Sequence, residues 1–147
     1  MAALLSACGT ATDTAPTASP ARDAAVAIPA ASNCPAATLA EFVPLFFDDA
    51  DIQRIYAVFP LENTYLDTDA EPEPLPVTQK LPEDEAEFPL VPDLSEQATQ
   101  GLQWAIIEEE GNDATVKLWQ EDTGYLILLR FHRDGCWKLA RVDDQST

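Results

Sequence analysis

Between Leu102 and Val142 four β-rich runs follow one another, broken by short turn signals. This constrains the fold more than any other feature, because successive side chains of a strand point to opposite faces, so that one face of each run can lie against a core. The runs are Leu102–Glu108, Ala114–Gln120, Gly124–His132 and Cys136–Val142. Their connectors are Glu110-Gly111-Asn112-Asp113, Glu121-Asp122-Thr123 and Asp134-Gly135. Asp-Gly is a tight-hairpin signal, since glycine accepts the positive φ such a turn demands. In the third run Tyr125, Ile127, Leu129 and Phe131 share one face, while Leu126, Leu128, Arg130 and His132 share the other. Trp137 and Leu139 alternate with Lys138 and Ala140. The reading is four sequential antiparallel strands.

Helical spacing precedes them. Thr38-Leu39-Ala40-Glu41 is a capping box, in which hydroxyl and carboxylate satisfy each other's backbone N–H groups. Leu39, Phe42, Val43, Phe46 and Phe47 follow at the three-and-four spacing of an apolar helix face, with Pro44 inside it. Asp48-Asp49-Ala50-Asp51 offers caps for a second helix. That helix is expected over 51–58, with Ile52, Ile55, Tyr56 and Phe59 on one side and Pro60 as its stop. Prolines then recur among acids. Short extended pieces are expected at 63–67 and 76–81. Leu75-Pro76-Val77 and Phe88-Pro89-Leu90-Val91-Pro92 are expected to lie against the core, because proline cannot donate to a ladder in mid-sheet. Asp93 or Ser95 can cap a brief helical turn. The fold class is therefore α+β: two N-terminal helices packed on the concave side of a curved antiparallel sheet that ends in a four-stranded meander. One domain is expected over 34–147, with a Pro/acid-rich insert at about 68–92.

The opening of the chain has a different character. Leu5-Ser6-Ala7-Cys8 matches the bacterial lipoprotein signal, in which an apolar and two small residues precede a cysteine that takes a diacylglyceryl group. Only seven residues precede Cys8 and none is basic, whereas an export signal has a basic start and a longer apolar stretch. The expectation is that Met1 is an internal or misassigned start and that 1–8 is a truncated signal. The alternative is a free thiol in an Ala-rich leader. Residues 9–33 are dominated by Ala, Thr, Pro and Ser without an aromatic side chain, the composition of a disordered tether. With Cys8 acylated, Cys34 and Cys136 remain, and an exported pair framing a domain invites a disulfide, the alternative being two buried free thiols. Location follows from the same features: the cell envelope, lipid-anchored, with the domain facing the periplasm.

Charge excludes one class of partner. Twenty-six acidic against eight basic side chains leave a net −18, the wrong sign for nucleic acid. No stretch approaches the length of a spanning helix, so membrane contact is expected through the N-terminal lipid alone. A protein or small-molecule partner is expected, of unspecified identity.

Candidate site residues are few. Arg54, a rare cation on a helix with an apolar face, fits a carboxylate ligand or an ion pair with Asp51, Asp49 or a strand carboxylate. Tyr56 is a candidate ligand contact, and Trp104, Trp119, Tyr125 and Trp137 are candidate groove aromatics, with core or cross-strand packing as their other use. His132 is the lone histidine; paired with Asp134 or Tyr125 inside a cavity it would give acid–base chemistry, and at a strand end it is surface decoration. No phosphate loop, nucleophile elbow or metalloprotease helix occurs, and the acid clusters lack the calcium-loop pattern. Neither cofactor nor metal is expected, and a non-catalytic binding module is favoured over an enzyme or a purely structural tethered module.

Phe46-Phe47-Asp48, Gln53-Arg54-Ile55, Phe59-Pro60-Leu61 and the closing Trp137-Lys138-Leu139 together resemble a group of uncharacterised bacterial lipoproteins. Their domain is similar to nuclear transport factor 2. The resemblance covers roughly 38–147, is best at 46–61, and departs at the insert. It implies a cone-shaped α+β domain with an interior pocket and no assigned activity.

Overall fold

Thr38 starts the first helix of the computed structural model, which describes residues 33–147. Cys8 and the segment up to residue 32 lie outside the described residues. The Thr38 hydroxyl accepts from the Glu41 N–H while the Glu41 carboxylate accepts from the Thr38 N–H, the capping box read in the sequence. Helix α1 (Leu39–Asp48) buries Leu39, Phe42, Val43, Phe46 and Phe47, each 1% exposed or less. Pro44 is accommodated within it. Asp49 caps α2 (Ala50–Ile55) through the Asp51 and Ile52 N–H groups.

The second helix is shorter than expected, and its buried residue is Gln53 rather than an apolar one. Ile55 is 66% exposed, and the chain turns at Tyr56 into strand β1 (Ala57–Asp67). The stop expected at Pro60 does not occur. Between Ala57 and Glu62 the pairing of β1 with β6 (Cys136–Asp144) changes register, and pairing with β2 (Leu75–Leu81) begins only at Leu61. Pro60 falls where no ladder donor is required of it.

The remaining elements follow the sequence closely. Val91 is buried against the core, whereas Leu75-Pro76-Val77 lies on an edge strand with Leu75 54% exposed, not against the core. Asp93 caps α3 (Leu94–Gln100) in a second capping box with Glu96, and Gly101 ends it at φ +71°. Strands β3 (Leu102–Glu110), β4 (Asp113–Gln120), β5 (Leu126–Asp134) and β6 form the expected meander.

The sheet has six strands in the order β2-β1-β6-β5-β4-β3. It is mixed, not purely antiparallel, because β1 runs parallel to β6. The long excursion from β1 through β2, α3 and the meander leaves the returning β6 free to pair in that sense, which covers an edge the meander would otherwise expose. Helix α1 packs on one face of the sheet. Phe131 meets Phe46 and Phe42 edge-on, at centroid distances of 5.3 and 5.9 Å. Phe47 meets Trp104 at 5.6 Å. Cys34 and Cys136 form a disulfide that ties the chain ahead of α1 to the start of β6, as expected.

Candidate ligand-binding site

Two bulges decide which side chains each face of the sheet presents. Near the β3–β4 turn Glu110 faces Asp113 and Glu108 faces Thr115; beyond the irregularity at Ile107, Ile106 faces Val116 and Trp104 faces Leu118. In β5–β6, Phe131 faces Leu139, yet Arg130 faces Arg141, so Ala140 is the extra residue. A one-residue slip exchanges faces. The second bulge therefore carries Arg141 to the outer face, away from the helices, and turns Val142 and Asp144 inward.

On the outer face a cross-strand row runs Glu108, Thr115, Arg130, Arg141, Glu62, Lys80. Arg141 is well engaged: one nitrogen lies 3.0 Å from Glu62, and another donates to Thr64 at 3.1 Å and lies 4.0 Å from Asp143. Arg130 also reaches Asp143, at 4.0 Å. A cleft of about 630 Å³ opens here, with His132 on its border. The His132 Nδ1 stands 2.7 Å from an Asp113 carboxylate oxygen, with the side chains 50% and 78% exposed. The partner is Asp113, across the β4–β5 ladder, and not Asp134 or Tyr125.

The other residues singled out in the sequence are not brought together. Arg54 is exposed and stacks 4.8 Å from the Phe88 ring, and the ion pairs among the described residues do not include it. Tyr56 packs edge-on against Phe42 and donates to the Asn33 carbonyl. Trp104 and Tyr125 lie on the inner face against the core and Trp137 is buried within it, lining no groove, whereas Trp119 lies on the outer face with the Lys117 ammonium 4.7 Å from its ring. Burial pushes the Tyr125 phenol up from its ordinary pKa, with the nearby Asp144 carboxylate adding to the effect. Among the described residues no group of three His, Cys, Asp or Glu side chains is placed to hold a metal ion.

The inner face holds a second cleft, of about 400 Å³, beyond the reach of α1. Leu61 and Asn63 of β1, Val142 and Asp144 of β6 and Ile127 of β5 form its floor, and Leu81, Glu85, Glu87, Pro89 and Leu90 border it. The 85–90 wall is fastened. Gln53, fully buried, donates to the Phe47 carbonyl at 3.3 Å and accepts from the Leu90 N–H at 2.6 Å. Asp48 accepts from the Leu94 N–H at 3.0 Å, and Gln97 donates to the Pro92 carbonyl at 2.7 Å. Phe88 is flanked by Phe59, at 6.0 Å, and by Arg54. Sequence reasoning picked none of the lining residues as site candidates.

This cleft fits a ligand site better than the outer one does. Ligand pockets are mostly apolar with a few placed polar groups. Six of the ten residues lining the inner cleft are apolar, while the outer cleft is bordered chiefly by charged side chains, among which His132 pairs with Asp113 and Arg141 with Glu62.

The fold resembles that of an NTF2-like protein of Bacteroides fragilis, with a TM-score of 0.53 at 19% sequence identity over 77% of this chain. The match covers 49% of that protein, so this chain spans about half its length. No protein-family model matches the sequence, and no curated protein does. The helices packed on a six-stranded mixed sheet thus belong to the NTF2-like α+β architecture expected from the sequence, with the sheet extended by the β1–β2 hairpin.

Proposed function

We propose that the chain is an exported bacterial lipoprotein, anchored through Cys8, whose folded head is a non-catalytic binding module. The carrying observation is the inner cleft: a partly apolar cavity of about 400 Å³ with one wall held in place by buried side-chain hydrogen bonds. Preorganisation of that kind lowers the cost of binding. Support for export comes from the Cys34–Cys136 disulfide, since such bonds persist in oxidising compartments. The strong negative charge speaks against nucleic acid as a partner.

The competing reading is an enzyme using His132, and the 2.7 Å approach of Asp113 is the observation in its favour. General acid–base work gains from a site that excludes water. This pair stands open to solvent, which favours binding over catalysis.

Labelling tests the anchor. Expressed from its native locus, the wild type is expected to incorporate labelled palmitate and to sediment with membranes, and Cys8→Ser to do neither. Equal labelling of the two, or recovery of the wild type unacylated in the cytosol with its thiols reduced, would overturn the proposal.

A further inference from the structure

We infer that the inner cleft takes small organic cations with an apolar tail, of the alkylamine class. The inference rests on the binding-module reading and is independent of the lipid anchor. Leu61, Ile127 and Val142 give the floor an apolar stretch beside Asn63 and Asp144, and Leu81 and Leu90 extend that stretch along the wall. Its charged lining residues are Glu85, Glu87 and Asp144, and among the described residues no Lys, Arg or His borders it. An anionic ligand would meet three carboxylates with no counter-charge, whereas an ammonium group finds complementary charge at the rim while its tail displaces water from the floor.

Two alternatives fit less well. A bare divalent cation needs converging oxygens, and among the described residues no three acidic side chains converge on one point. A neutral apolar ligand would leave the one-signed rim without a role. The size agrees too, since about 400 Å³ lies within the range of roughly 300–1,000 Å³ typical of small-molecule sites. Two of the three acids, Glu85 and Glu87, come from the Pro/acid-rich insert, and Gln53 keeps the far end of that stretch seated through Leu90.

The test uses octylammonium, octanol and octanoate, each below its micelle concentration, titrated into the folded protein. Amide NMR shifts of Leu61, Leu90, Ile127 and Val142 report on the site. Saturable shifts with octylammonium, at least tenfold weaker ones with octanol and none with octanoate are expected. Glu85→Gln with Glu87→Gln is expected to weaken octylammonium about three- to tenfold, given that both carboxylates are exposed and screened. Glu109→Gln with Glu110→Gln changes the net charge equally at a distant hairpin and is expected to change nothing. Equal affinity for octanol, binding of octanoate, the same shifts with calcium alone, or equal effects of the two double variants would each overturn the cation assignment while leaving a binding module standing. Failure of all three probes to shift these amides in a folded protein would overturn the binding reading as well.

Discussion

Gln53 and Tyr125 are the two residues whose surroundings most change what their type suggests. A glutamine on a short helix reads as solvent-facing until Leu90, 37 positions away, is seen to donate to it. That partner is set by tertiary packing, so no local pattern revealed it. Replacing Gln53 with Leu strands the Leu90 N–H and the Phe47 carbonyl, at a cost of about 2–4 kcal/mol, read as a lower urea midpoint with unchanged slope. Tyr125 gives a pH signature. Its folded pKa lies above the ordinary value of 10.0, so the contribution is intact below that pH. It is lost as the pH rises from there through the raised value, because the unfolded chain releases the proton first. Ultraviolet titration is expected to show Tyr125 ionising late. Asp144→Asn is expected to bring it only part of the way back, since burial is the larger cause and the carboxylate the smaller.

Among the elements, those whose stabilising contacts are local were legible and those set by register were not. The Thr38 capping box, the apolar stripe of α1 and all four meander strands could be read, because each rests on spacing within about ten residues. The parallel docking of β1 on β6 rests on contacts about 80 positions apart and left no local mark. The same limit scattered the candidate aromatics. Without the bulge at Ile107 the register near the turn would set Trp104 opposite Trp119; with it, Trp104 faces Leu118 and the two rings lie on opposite faces. The bulge at Ala140 likewise placed Val142 and Asp144 in the inner cleft, so the site was not readable from alternation alone. Two predictions belong at this scale. Thr38→Ala removes the α1 cap and is expected to cost about 1 kcal/mol in denaturant unfolding. The Cys34–Cys136 bond closes 102 positions of chain, and Cys34→Ser with Cys136→Ser is expected to cost about 2–5 kcal/mol by the same measurement.

Over the whole molecule, opposite charges are gathered on one face and like charges left elsewhere. Lys80, Lys117, Arg130, Lys138 and Arg141 all take outer-face registers, five of the eight basic residues of a chain with net charge −18. Their neighbours there include Glu62, Glu108 and Asp143. That face is close to neutral, so the unbalanced acid lies on the remaining surface. Added salt then acts in two opposed ways: it weakens the outer-face ion pairs and relieves repulsion among the unbalanced carboxylates. Exposed pairs contribute only about 0–1 kcal/mol each and are few, whereas repulsion from so large a net charge acts across the molecule. Relief is expected to win. The thermal midpoint should rise as sodium chloride increases from about 10 to about 150 mM, where screening shortens to roughly 8 Å, and then level off. Glu62→Gln, which removes the nearer of the two carboxylates beside Arg141, should leave that rise in place while lowering the whole curve. A midpoint that falls with salt in the wild type and is flat in Glu62→Gln would mean that the outer-face row outweighs the general repulsion, and that this row holds the sheet together.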